Sequence, residues 1–419
     1  MLTAMRAGIC LVALGAAHAA KPYSHGWDTV ADLMGMHGKY PADNPPTASA
    51  LAFAAAHYSL ITTGTSCSAV GANRTFTIEE NVWQQARAMK ASNPGAVVGM
   101  YWRTDFMMEM SDCSHASAEW AAHPEWRLRD DGGALVAHAG NHFYLDYTQP
   151  AAEAYWAAAI LNSTAALLPG GSPVLDYIYF DGMSMSATPS AYAPGIGPAR
   201  TRALYAAKAA MVADVQARLD ARGLGQNLLL NGMDDIGSAP ARVATGAAGS
   251  MFDHWTILQF LNATNGDFDA PAMDAAFDLV GAAVLQNVTT QIKGWPGPIV
   301  AQRDMYPPNI PTPRTPVELQ QVGAARFNSE LALFLLVATE LDFWIYSWFW
   351  EFGDYVPGAA DSSVGDGFYP DAKCQLGAPA GPMQRVAGTW TYTREFASAS
   401  VFVDLNNRTA CKVTFKGAC

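Results

Sequence analysis

The sequence has few charged residues and no cluster of basic ones. Asp, Glu, Lys and Arg make up 15% of its 419 residues, and the net charge is -12. A nucleic-acid-binding surface needs clustered Lys and Arg side chains to neutralise phosphates. We therefore expect no nucleic-acid partner.

Motifs for metals, nucleotides and activated serines are also absent. The histidines do not fall into the HExxH spacing of zinc enzymes, and no CxxC pair is present. The sequence likewise lacks the GxSxG turn of esterases, the GxxxxGK[ST] loop of NTPases and the GxGxxG turn of dinucleotide enzymes. We expect neither a metal site nor a cofactor.

The N-terminus has the pattern of a secretory signal peptide. Arg6 is followed by the apolar stretch Ile9–Ala16 and the small-x-small signal Ala17-His18-Ala19. The apolar stretch is too short to span a bilayer, so we expect cleavage and no membrane span in the mature chain. Five N-x-[ST] sequons fit a secreted or lumenal glycoprotein: Asn73, Asn162, Asn262, Asn287 and Asn407.

Cysteine is scarce, and the mature chain keeps an odd number of thiols. Cys10 leaves with the signal peptide, and two of the remaining cysteines, Cys67 and Cys113, lie in polar segments of the N-terminal third. We expect these two to form one disulfide. A second bond is expected within the C-terminal trio Cys374, Cys411 and Cys419.

Half of the residues are hydrophobic, and short apolar runs alternate with Ala-rich helical stretches. This alternation predicts an α/β fold, a (β/α)8 TIM barrel with parallel strands joined by helices. The eight predicted strands are 31–36, 58–63, 96–102, 175–181, 227–231, 250–255, 298–302 and 343–350. The predicted helices are 79–92, 151–167, 198–222, 270–293 and 316–338.

The segments outside this alternation complete the expected domain plan. A Trp- and His-rich stretch near 105–148 is predicted to be an insertion, and strand-like segments at 388–396, 400–405 and 412–415 predict a small C-terminal antiparallel β tail. We expect a signal peptide over 1–19, a barrel over 21–357 and a β-rich tail over 358–419.

Acidic residues at strand ends are the leading catalytic candidates, because barrel active sites lie at the carboxyl ends of the strands. Asp181 closes the run Tyr177–Phe180 and precedes Gly182, and Asp253 closes the sixth run. Two carboxylates flanking a glycosidic bond are the basic machinery of glycoside hydrolysis. Glu351, after the eighth run, is the reserve acid.

Other side chains near strand ends are candidates for sugar binding. The chain has twelve Trp and sixteen Tyr, and aromatic rings offer large amphipathic surfaces on which sugars stack. Polar side chains at the same ends offer hydrogen bonds to hydroxyl groups. The candidates are Trp102, Arg103, Asn231, His254, Asp304, Tyr346, Trp348 and Trp350.

Three motifs in series give the chain a family resemblance. Trp126–Gly132 reads WRLRDDG, Leu145–Ala151 reads LDYTQPA, and Asp176–Gly182 reads DYIYFDG. In this order they resemble glycoside-hydrolase-like (β/α)8 barrel families of unassigned substrate, and the similarity runs from about Trp27 to Val403 through the tail strands. The resemblance implies a sugar-cleaving barrel with Asp181 as the acid of the fourth strand.

Asp253 departs from the family pattern. The segment Phe252–Trp255 matches a position where Glu is expected before His and an aromatic residue. By analogy with barrels of this kind, the strand-six acid is the proton donor and Asp181 the nucleophile. A shorter acid at this position leaves two hypotheses: a secreted glycoside hydrolase with a carbohydrate substrate, or a non-catalytic carbohydrate-binding or cell-surface barrel.

Overall fold

The structure is a computed structural model that describes most of the chain. The described residues are 22–31, 33–35, 46–64, 77–103, 114–139, 142–182, 195–231, 247–252, 268–285, 287–294, 316–346, 369–417 and 419.

The helices and strands alternate along most of these residues. In chain order they are β1 (Leu33–Gly35), α1 (Ala48–His57), β2 (Leu60–Thr63), α2 (Ile78–Ser92), β3 (Val97–Arg103), α3 (Ser117–Ala122), β4 (Ala137–Ala139), β5 (His142–Phe143), α4 (Pro150–Ser163), β6 (Tyr177–Asp181), α5 (Pro198–Ala221), β7 (Asn227–Asn231), β8 (Gly249–Phe252), α6 (Ala270–Leu285), β9 (Thr289–Gly294), α7 (Pro316–Val337), β10 (Asp342–Tyr346), β11 (Gln384–Arg385), β12 (Thr391–Glu395), β13 (Ala399–Asp404) and β14 (Lys412–Phe415).

Eight of the strands form a parallel barrel. Their order is β1-β2-β3-β6-β7-β8-β9-β10, and every neighbouring pair is parallel. The two ends of the sheet meet where the amide of Trp344 on β10 donates to the carbonyl oxygen of Ala31, 2.9 Å away, just before β1. The predicted (β/α)8 barrel is confirmed.

Side chains alternate between the barrel interior and the helix layer. On β6, Tyr177 and Tyr179 pack in the interior, whereas Ile178 and Phe180 pack beneath the helices. Glycine is required opposite the first tyrosine, because a Cβ atom on Gly99 would lie 2.2 Å from the Tyr177 ring. The interior is therefore a packed core rather than a channel.

The N-terminal segment 22–30 covers the amino end of the barrel. The Tyr23 hydroxyl donates to the carbonyl oxygen of Asp176 at 2.7 Å, and its amide donates to Thr289 Oγ1 at the same distance. The amide of His25 donates to the carbonyl oxygen of Glu340 at 2.9 Å. These contacts close the end of the barrel opposite to the strand ends that carry the candidate acids.

The seventh barrel strand differs from the predicted one. It is β9 (Thr289–Gly294), and α6 ends at Leu285 rather than at residue 293. The reason is its composition: Thr289 and Gln291 face the interior as polar residues, so the strand has no apolar run. The predicted strand 298–302 lies outside the described residues.

A compact insertion lies between β3 and β6. It contains α3, a 3-10 turn at Pro124–Trp126 and the β4–β5 hairpin. Leu128, Val136 and Tyr144 form its small core together with Ile196, which precedes α5. The insertion is therefore attached to the chain that returns from the carboxyl end of β6.

The C-terminal tail forms an antiparallel sheet of four strands, in the order β11-β12-β13-β14. The predicted antiparallel β tail is thereby confirmed. It packs on α7, where Arg394 Nη1 donates to the carbonyl oxygens of Leu335, Leu336 and Ala338. These are carbonyls that the end of a helix leaves without partners. A buried ion pair between Arg408 and Glu330 adds a second link.

One disulfide and one free thiol lie in the tail. Cys374 and Cys419 are bonded, which confirms the expected bond within the C-terminal trio, and Cys411 is a buried free thiol. Cys67 and Cys113 lie outside the described residues, so their pairing stays a prediction. Among the described helices, none combines the length and apolarity needed to cross a membrane.

Candidate active site

Asp181 occupies the carboxyl end of β6 on the face that points into the barrel. It follows Tyr177 and Tyr179 in the two-residue period of the strand. Arg103 is its register partner on β3, and Asn231 ends β7 on the other side. The ends of three adjacent strands thus bring a carboxyl group, a guanidinium and an amide together.

Hydrogen bonds fill both oxygens of the Asp181 carboxyl group. Oδ2 accepts from the Tyr101 hydroxyl at 2.6 Å and from Arg103 Nη1 at 2.9 Å. Oδ1 accepts from Asn231 Nδ2 at 2.7 Å and from the amide of Gly182 at 2.8 Å. The Asp181 side chain remains 15% exposed, so the carboxyl group is held in place but is still accessible to solvent at the carboxyl end of the barrel.

These contacts favour the ionised form of Asp181. A carboxyl group that accepts several hydrogen bonds beside a guanidinium is stabilised as the carboxylate. Tyr101 is affected in the opposite sense: burial, followed by the charge of Asp181, raises the pKa of its phenol well above the ordinary value, while Arg103 opposes this. Tyr101 therefore remains a hydroxyl donor to Asp181 Oδ2.

The local sequence explains why the acid stands at this point. The preceding residues Tyr177–Phe180 are fully buried, so the strand is fixed on both faces. Gly182 then adopts φ +70, a left-handed conformation that L side chains rarely adopt. In this conformation the Gly182 amide lies beside the Asp181 carboxylate and donates to its Oδ1.

The structure brings together three of the predicted site residues, namely Asp181, Arg103 and Asn231. The structure does not support a sugar-binding position for two other predicted residues, Trp102 and Tyr346. Trp102 is fully buried against Trp156, with ring centroids 5.3 Å apart, and the hydroxyl of buried Tyr346 donates to the carbonyl oxygen of Gly323 on α7. Both side chains lie on the helix side of the sheet, because each is one residue out of phase with the interior-facing positions.

Six predicted site residues lie outside the described residues: Asp253, His254, Asp304, Trp348, Trp350 and Glu351. Their roles stay predictions. Asp304 follows the last residue of β9 by ten positions in the sequence.

The sequence analysis missed one side chain that contacts Asp181, and one further interior-facing polar residue at the carboxyl end of the barrel strands. Tyr101 precedes Arg103 by two positions and therefore shares its face of β3, a signal that the strand period contains. Lys293 lies at the carboxyl end of β9 and is buried on the same face as Gln291, opposite to Ile292 in the outer core. In the described part of the chain, no group of His, Cys, Asp or Glu side chains could hold a metal ion.

Comparison with known proteins gives matches in fold only. No family model and no curated protein matches the chain. Among solved structures, it is similar to the glycoside hydrolase domain of a PelA variant from Pseudomonas aeruginosa, at 13% identity over 79% of this chain and 96% of that one, with a TM-score of 0.41. The maltogenic α-amylase AmyB from Thermotoga neapolitana gives 10% identity, coverage of 88% and 84%, and a TM-score of 0.48.

A third similar structure is the GH36 α-galactosidase AgaA from Geobacillus stearothermophilus. It gives 12% identity over 90% of this chain and a TM-score of 0.44. The chain spans about half the length of that enzyme, 48% of it. At these values the barrel assignment rests on the strand order of this chain itself, and the substrates of those enzymes do not transfer to it.

Proposed function

We propose that the chain is a secreted glycoside hydrolase that acts on a polysaccharide or glycan through a pair of carboxylates. The observation that carries the proposal is the position of Asp181: an interior-facing acid at the carboxyl end of a barrel strand, partly exposed and held by Tyr101, Arg103 and Asn231. Catalytic groups in barrels of this type come from the ends of several strands.

The contacts of Asp181 decide which of the two carboxylate roles it suits. A general acid must carry a proton, whereas the oxygens of Asp181 accept from four donors, one of which is the Arg103 guanidinium, and such contacts favour a carboxylate. We therefore assign Asp181 the nucleophilic or charge-stabilising role. The proton donor is proposed to be Asp253, two residues after interior-facing Met251, with Glu351 as the alternative.

The stereochemical outcome depends on the separation of the two carboxyl groups. A gap of about 5 Å implies a covalent glycosyl intermediate and retention, while about 6.5 to 9.5 Å leaves room for a water molecule and implies inversion.

Secretion is supported by two features of the described residues. The sequon residues Asn162, Asn287 and Asn407 are all exposed, as glycosylation requires. The Cys374–Cys419 disulfide fits an oxidising compartment.

A non-catalytic carbohydrate-binding barrel is the second candidate, and one observation favours it. Both oxygens of Asp181 already accept two hydrogen bonds each, one of them from Arg103 in an ion pair. Such contacts lower the nucleophilicity of a carboxylate, and they would suit an acid that only holds Arg103 and Asn231 in place for sugar hydroxyls.

A single experiment separates the two candidates. The secreted protein and its Asp181→Asn variant are incubated with a panel of polysaccharides, and both released reducing ends and sugar binding are measured. A hydrolase loses turnover on substitution but keeps most of its binding, whereas a binding protein releases no reducing ends in either form. Asp176→Asn, immediately before the amino end of the same strand, controls for general loss of stability.

A further inference from the structure

One face of α5 connects the insertion to the carboxyl end of β6. Arg200, Leu204 and Lys208 are spaced four residues apart, so their side chains lie on the same side of the helix. All three are directed at the insertion or at the residue that follows Asp181. This face, which we call the α5 docking face, runs from the start of the helix to its third turn.

The first two residues of the α5 docking face bind the insertion. Arg200 Nη2 pairs with Asp146 Oδ2 at 3.5 Å, and Nη1 donates to the carbonyl oxygen of Asp130 at 3.2 Å. Leu204 packs against the small apolar core of the insertion, which consists of Leu128, Val136, Tyr144 and Ile196. The insertion is therefore held on α5 by both charged and apolar contacts.

The third residue reaches the active site. Lys208 is 4% exposed, and its Nζ donates to the carbonyl oxygen of Gly182. The same ammonium group lies 5.9 Å from the centroid of the Tyr147 ring, which belongs to the end of the insertion. A buried ammonium group needs such partners, because burial without them is costly.

Both the backbone amide and the backbone carbonyl of Gly182 are therefore hydrogen-bonded. Its carbonyl accepts from Lys208, and its amide donates to Asp181 Oδ1 at 2.8 Å. Its φ of +70 lies in the left-handed region that favours glycine. A movement of the Gly182 carbonyl would rotate the adjoining backbone and weaken the amide contact with Asp181.

We propose that Lys208 is a positioning residue that fixes Gly182 and, through it, the direction of the Asp181 carboxylate. The expected effect on kcat rests on the proposed glycosidase function, whereas the structural role of Lys208 does not. Lys208 contacts the backbone beside Asp181, and the docked insertion keeps its ammonium group in place.

The test uses the full-length secreted protein with three variants. Lys208→Met removes the ammonium group and keeps the apolar stem, whereas Lys208→Arg keeps a cationic donor. Lys90→Met is the matched control, because the Lys90 side chain is only 8% exposed and binds the residues just before β6, at the opposite end of the strand. Its Nζ donates to Asp176 Oδ1 and to the carbonyl oxygen of Pro173.

Two measurements are made on each variant. Hydrogen exchange followed by mass spectrometry on residues 177–182 reports whether the Gly182 amide keeps its contact with Asp181. Kinetics on the polysaccharide that the wild-type protein cleaves fastest in the panel report the consequence for turnover. A misplacement of about 1 Å lowers the rate on the order of a hundredfold, so we expect kcat to fall about ten- to a hundredfold with little change in KM.

The proposal is supported when Lys208→Met exchanges faster over 177–182 and loses kcat, Lys208→Arg recovers most of both, and Lys90→Met changes neither. It is overturned by wild-type exchange over 177–182 in Lys208→Met, or by an equal loss of kcat in Lys90→Met. If the wild-type protein cleaves no polysaccharide, the proposed function fails, and the exchange measurement alone decides whether Lys208 holds the strand end.

Discussion

Replacement of Asp342 by Asn should remove a pH-dependent loss of stability. Asp342 begins β10 and is fully buried. Its Oδ2 accepts from the Thr339 amide at 2.7 Å and from the Thr339 hydroxyl at 2.8 Å. Burial raises the pKa of Asp342 from 3.8 to about 7, because these hydrogen bonds and the charge of Arg394 only partly offset the desolvation of the carboxylate.

The sign of the effect follows from the direction of the shift. The pKa of Asp342 is higher in the folded than in the unfolded chain, so the folded chain binds more protons between pH 3.8 and about 7. Stability from this group is fully present below pH 3.8 and is lost as the pH rises to about 7. The difference between the two pKa values, about 3, corresponds to roughly 4 kcal/mol over that range.

The assay is urea unfolding of the wild-type protein and of Asp342→Asn at intervals from pH 4 to pH 8.5. An asparagine is neutral throughout and can keep the contact with the Thr339 amide. The free energy of unfolding of the variant, relative to wild type, should therefore increase by up to about 4 kcal/mol between the two ends of the range.

Asp28→Asn, which changes an exposed carboxylate, is the control and should follow the wild-type curve. Parallel curves for wild type and Asp342→Asn, within about 1 kcal/mol across the range, would refute the reasoning, because they would mean that Asp342 has the same pKa in both states.

Three further predictions concern the core, the tail and the surface. Gly99→Ala should destabilise the barrel by about 1 to 3 kcal/mol in urea unfolding, since the added Cβ would overlap the Tyr177 ring, and an unchanged midpoint would contradict the packing. Cys374→Ser should lower stability by about 4 kcal/mol, from the loss of a link across 45 residues, and reduction of the wild-type protein should lower it by at least as much, because the predicted Cys67–Cys113 bond would open as well. Asn407→Gln should lower the mass of the secreted protein by one glycan, whereas equal masses of the wild-type protein and the variant, apart from the amino-acid change, would show that the site is unused.

The positions of most helices and strands could be predicted from the sequence, because the signals that set them are local. β7 has the predicted limits 227–231, and α5 ends within one residue of its predicted end. β7 is an apolar run between turn residues, and α5 is terminated by glycine. β9 was not predicted because its interior face carries Thr289 and Gln291, which only the neighbouring strands bury.

The sequence by itself determined that Asp181 ends a buried strand, and hence that it belongs to the mouth of a barrel. It could not determine the phase of Trp102 and Tyr346, because strands buried on both faces show no alternation of apolar and polar residues. The partners of Asp181 were also decided by the tertiary structure, since the Tyr101 hydroxyl is separated from it by 80 residues. The contact between Lys208 and Gly182 likewise requires α5 to pack beside β6, and such packing follows from the closure of the barrel rather than from any local pattern.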